Sequence, residues 1–301
     1  MVLEHIFPED WLEHKGRYAF ILGIVYSLIA VVISTILFPG DPALVAVAFT
    51  SMLLLPEMYK IFSIEERQEA VEQKVGMRSL WRNDIEVVRI YIFLFLGILL
   101  VYSVGTMLLP TVQTNSIFRE QLEIRFGQGF TGNAIAGQAT FISSTIFSGN
   151  LFFDLLSNNF MVLVACFILA LLTGDGAIFL ITWNASVWGA IFGITAKNAA
   201  LFAGKNPFAL FGVIMLVVFP HMILEAISYF LAAISGSVIS KDVLLEEFAS
   251  ERFLEVFGFN VYLLLFGLIF LVLGAFVETF VLDNVPLYQE IIRMSLQARP
   301  A

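Results

Sequence analysis

Apolar runs of about 20 residues recur along this chain, and no other feature constrains its fold as tightly. Inside a bilayer the backbone has no water to bond, so each run must satisfy its own amides and carbonyls as a helix. The runs fall at residues 19–38, 43–62, 87–109, 159–173, 177–196 and 258–282, with a longer one over 207–239. Composition agrees: the chain is 59% hydrophobic and holds 31 phenylalanines. Only 14% of its residues are charged, where a soluble domain carries about a quarter. The expected fold is an all-α, polytopic transmembrane helix bundle of about six to seven spans.

Turn chemistry divides the runs. Pro39, Gly40, Asp41 and Pro42 end the first, and Pro110 ends the third. Pro56 and Glu57 shorten the apolar part of the second. Residues 63–86 are densely charged and read as a surface helix or long loop. Residues 111–157 scatter glycines, asparagines and hydroxyls through aromatic sequence, the pattern of an interfacial or re-entrant segment. The run at 207–239 would rise roughly 50 Å as one helix, too long for a bilayer core. Pro220 is therefore expected to break it into a half-helix and a span from 221 to 239. This organisation suggests an N-terminal membrane region (1–144), a membrane core (145–283) and a short tail (284–301).

The densest basic cluster, Lys60, Arg67, Lys74, Arg78, Arg82 and Arg89, surrounds the loop between the second and third runs. Positive loops stay in the cytoplasm, which places the N-terminus and residues 63–86 on that side of a multi-pass cell-membrane protein. Seven spans would leave Arg293 and Arg299 outside, whereas an even count would not. The first 18 residues lack the basic-then-apolar pattern of a cleaved leader, so the first span is expected to serve as an uncleaved anchor. A net charge of −9 with no large basic patch argues against nucleic acid as a partner. The single cysteine, Cys166, precludes an intramolecular disulfide.

Polar residues inside apolar sequence carry the functional signal. An ionised side chain at the bilayer centre costs about 2.5 kcal/mol or more, so such groups face the bundle interior, a water-filled cavity or the interface. Asn184, His221, Glu225 and Glu278 lie within runs, and Asn158 and Asn159 stand where one begins. His221 and Glu225 are four residues apart and share a helix face. Three readings fit that pair: a structural bond across the Pro220 break, a proton or ion site, or a metal site. The metal reading lacks ligands, because a catalytic zinc takes three protein side chains and the other two histidines, His5 and His14, precede the first run. No HExxH motif and no nucleophile beside a base is present. The glutamates and arginine of residues 246–252 do not have the spacing of an intramembrane protease motif. No catalytic residue, metal or cofactor is expected.

Small residues mark packing. Gly189 and Gly193 form a GxxxG step, which lets two helix backbones approach; contact within the bundle is the expected use and self-association the alternative. Gly174 punctuates the turn Gly174-Asp175-Gly176, and Gly236 follows Ile234 and Ser235.

Together these features resemble the stage II sporulation protein M family of bacterial and archaeal integral membrane proteins. The resemblance rests on Asn158-Asn159, the turn LLTGDG, Asn184 followed by Trp188-Gly189-Ala190, Pro220-His221 with Glu225, Ile234-Ser235-Gly236, and Glu278 in GAFVETFV. It spans roughly residues 145–283. Met222 and Ala185 stand where the family tends to have glycine. The resemblance implies a non-enzymatic membrane scaffold that recruits or organises other proteins, with the lipid bilayer as its surroundings and no known small-molecule substrate. The alternative is a transporter or channel using the polar site around His221 and Glu225, as broken helices do in transporters.

Overall fold

The computed structural model describes residues 16–71, 77–126, 147–245 and 250–298, with side chains described throughout these except at 61–71, 77–84, 125–126, 242–245 and 252. All regular structure among the described residues is helical. The helices are α1 (Gly16–Leu37), α2 (Pro42–Val71), α3 (Met77–Leu108), α4 (Thr111–Ile117) and α5 (Arg119–Phe126). They continue with α6 (Gly149–Thr173), α7 (Ala177–Ala203), α8 (Pro207–Leu245), α9 (Glu251–Asn284) and α10 (Pro286–Gln297). Seven of the described helices, α1 to α3 and α6 to α9, are long and apolar enough to cross a membrane. The chain is a multi-pass α-helical membrane protein.

Its exterior shows where the lipid lies. On α1, Ile21, Val25, Leu28, Val32 and Ile36 are exposed, and on α9 so are Leu254, Val261, Leu265, Ile269, Val272, Phe276 and Phe280. Such apolar belts suit hydrocarbon and would be a liability in water.

Helix α7 is the central post. It packs against α3, α8, α2 and the amphipathic α10, so the N-terminal helices and the C-terminal core share one interior. The α3–α7 contact is built on glycine: a Cβ at Gly189 would lie 2.5 Å from the Leu99 carbonyl oxygen, and one at Gly193 2.5 Å from that of Ser103. The gap is sealed by Ser103, whose hydroxyl donates to the Gly189 carbonyl at 3.1 Å. The GxxxG step therefore works inside the bundle. Gly23 on α1 and Gly97 on α3 make a second such approach, each hypothetical Cβ falling within 2.5 Å of the opposing backbone.

Two expectations are corrected here. Pro220 does not break its segment: α8 is one helix of 39 residues with the proline inside it. Proline removes only the donor to the carbonyl of Leu216, and both residues lie on the exposed side. Membrane helices absorb such a lapse through neighbouring helices and small local adjustments. At about 1.5 Å per residue α8 rises about 58 Å as one continuous helix, with no fold-back along its length. The amides after Pro220 are consequently part of a continuous helix. Residues 111–157, expected to be interfacial or re-entrant, divide: 111–126 form the short helices α4 and α5, whereas 149–157 belong to α6, which continues into the span. Residues 127–146 lie outside the described residues. Gly149 and Asn150 open α6 because the Ser148 amide donates to the Asp283 carboxylate at 2.7 Å, holding the start of α6 at the end of α9.

The tail is also ordered into structure. Pro286 sets the first turn of α10, and the Gln289 amide donates to the carbonyls of Leu282 and Asp283. Tyr288, Ile291 and Ser295 are thereby buried.

Candidate functional site

A cavity of about 670 Å³ opens among α5, α6, α7, α8, α9 and α10. Its walls are mainly apolar, with Leu155, Val162, Leu180, Val187, Ile191, Val218 and Leu282 among them, and four aromatic rings from Trp183, Trp188, Phe192 and Tyr288. The polar lining consists of Asn158, Asn159, Asn184, His221, Glu225 and Glu278. All six polar residues singled out from the sequence thus meet at one chamber, brought there by four different spans.

Each is positioned by its own helix. Asn159 is buried and Asn158 is exposed beside it, its amide donating to the Asn159 side-chain oxygen at 3.4 Å. Asn184 is held against α7 by donating to the Leu180 carbonyl one turn back, at 2.8 Å. His221 and Glu225 are 5% and 2% exposed and lie one turn apart on α8. Glu278 reaches in from α9 and its carboxyl group lies against that of Glu225.

The Glu225–Glu278 meeting depends on a glycine. A Cβ at Gly274, one turn before Glu278, would fall 2.7 Å from Cγ of Glu225. Helix α9 approaches α8 through this notch and through Gly267, which faces Ser228 and Leu231. On the opposite flank of α8, Gly236 sits against the Phe167 carbonyl and Ala170 of α6, a hypothetical Cβ falling 2.5 Å from that oxygen. Gly174 ends α6 at φ +80°, a backbone state natural to glycine, and its carbonyl accepts from the Ser237 hydroxyl.

The polar set is not a closed network. Nδ1 of His221 and Oε1 of Glu225 have no hydrogen-bond partner, although both are buried. Leaving a buried polar atom unpaired costs about 1–3 kcal/mol, so the helix pair does not bond through these atoms as the structural reading of the sequence required. Met222 and Ala185, at the positions where the family tends to have glycine, are buried, and Met222 faces the chamber. No group of three or more His, Cys, Asp or Glu that could hold a metal is found among the described residues.

Sequence reasoning missed Gly274, Trp183 and the contribution of α10. Gly274 had a signal, since Gly267, Gly274 and Glu278 recur at helical spacing along one face. The tail had none, because the sequence of α10 shows amphipathicity but not which cavity it closes.

The stage II sporulation protein M family model matches residues 18–281, so the likeness seen in residues 145–283 extends through the first three spans. No curated protein and no solved structure matches the chain. With the family model spanning nearly the whole helix bundle, this chain belongs to the stage II sporulation protein M family.

Proposed function

We propose that the protein is a non-enzymatic membrane scaffold, an organising component that holds other proteins or further copies of itself at the bilayer. The observation that carries this reading is the way α7 ties both halves into one bundle by glycine-mediated backbone contact with α3 and by broad packing with α8. Such a core suits a rigid platform. Lysine and arginine placement supports an N-terminus in the cytoplasm. With seven spans, Lys15, Arg17, the cluster from Lys60 to Arg89, Lys241 and Arg252 fall on that side, against six basic residues on the other.

The test is isolation of the untagged protein from its native membrane in mild detergent, followed by crosslinking and mass measurement. A scaffold gives a defined complex larger than one 33.6 kDa chain, containing a second polypeptide or several copies. A lone chain under those conditions, with no crosslinked species, contradicts the reading.

A further inference from the structure

The chamber has the wrong electrostatics for an empty structural gap and the right ones for a guest. Its acidic and basic lining residues among those described are His221, Glu225 and Glu278, with the phenol of Tyr288 beside them; no described lysine or arginine side chain lines it. Two carboxyl groups therefore face a mainly apolar space with no fixed cation among the described residues to balance them. Oε1 of Glu225 and Nδ1 of His221, on residues more than nine-tenths buried, have no protein partner. Trp183 and Trp188 line the same chamber, and indole faces attract cations.

Size separates the candidate guests. A bare metal ion is far too small for about 670 Å³, whereas pockets of roughly 300–1,000 Å³ hold small organic molecules. An anion would meet two acids and no permanent positive charge. A purely apolar guest would leave both buried acceptors unanswered. A molecule with an ammonium at one end and an apolar body answers every feature at once. Its N–H groups donate to Glu225 and Glu278, and its body lies against the tryptophans and the aliphatic wall.

We propose that this chamber is a binding site for a small organic ammonium ion with an apolar body, held at its charged end by Glu225 and Glu278. The site stands independently of the scaffold role, which could fail in its own test without touching this one.

The test uses purified full-length protein in lipid nanodiscs and three guests of nearly equal body: benzylammonium, benzyl alcohol and benzoate. Binding is read by equilibrium dialysis and by the change in tryptophan fluorescence. Saturable binding of benzylammonium, at least tenfold tighter than that of either other compound, is expected. Glu225→Gln and Glu278→Gln should each weaken it about tenfold or more. Equal binding of alcohol and ammonium, preference for benzoate, or no saturable binding of benzylammonium by the wild-type protein would each overturn the proposal. The wild-type comparison keeps the test decisive even if a variant does not fold.

Discussion

Cγ of Glu225 stands 2.7 Å from the place where a Cβ on Gly274 would be. A buried acid on one span is thus accommodated by a missing side chain on the next, and Glu278, one turn further on, meets the same acid. Replacing Gly274 with alanine should force Glu225 or the helix to move. Overpacking of this kind costs about 1–3 kcal/mol, so a lower melting temperature in detergent is expected for Gly274→Ala. Gly258→Ala on the same helix, where nothing lies within 4 Å, should leave it unchanged or raise it, since alanine favours helix by up to about 1 kcal/mol. Equal melting of the two variants would contradict the notch.

Gly193→Ala should be more damaging than Gly274→Ala. Its Cβ would fall 2.5 Å from a backbone oxygen of Ser103 and closer still to the Thr106 hydroxyl, and backbone cannot rotate away as a side chain can. The expected outcome is loss of folded, monodisperse protein, read by size-exclusion chromatography and melting. A variant that stays folded but changes only its oligomeric state would mean that the glycine step serves contact between chains instead.

Pro220→Ala restores the missing donor in a helix that is already continuous. An interior proline costs about 3 kcal/mol in a soluble helix, and part of that should be recovered. The melting temperature should hold or rise. A clear fall would show that the proline supports a conformation other than the uninterrupted α8.

Asp283→Ala removes the acceptor for the Ser148 amide at the start of α6. Hydrogen bonds to charged groups are worth about 1.5–3 kcal/mol. Faster amide exchange in the first turn of α6, without comparable change in α3, is expected; unchanged protection there would contradict the anchor.

The sequence made the fold class plain and narrowed the spanning helices to six or seven, because the cost of unpaired backbone in lipid leaves helices as the available solution for each apolar run. It also marked the chamber's polar residues, since buried charge is expensive enough to be visible one residue at a time. What it hid was three-dimensional. Proline rules calibrated on water-exposed helices predicted a break at Pro220, but a proline on the exposed side does not stop a helix held by its neighbours. The i, i+4 spacing of His221 and Glu225 suggested a bond between them, whereas Glu225 turns to Glu278, a residue 53 positions further along. Such pairing depends on how α8 and α9 dock, and the glycines that set that docking speak only once the neighbouring helix is in place.

The most direct test of the central claim, that acids on separate spans meet and join them, is a double-mutant cycle of Glu225→Ala and Glu278→Ala measured by unfolding in detergent. Groups in direct contact show coupling of about 0.5–3 kcal/mol. The account predicts coupling in that range, with the double variant departing clearly from the sum of the two singles. Strict additivity, with both single variants folded, would contradict it.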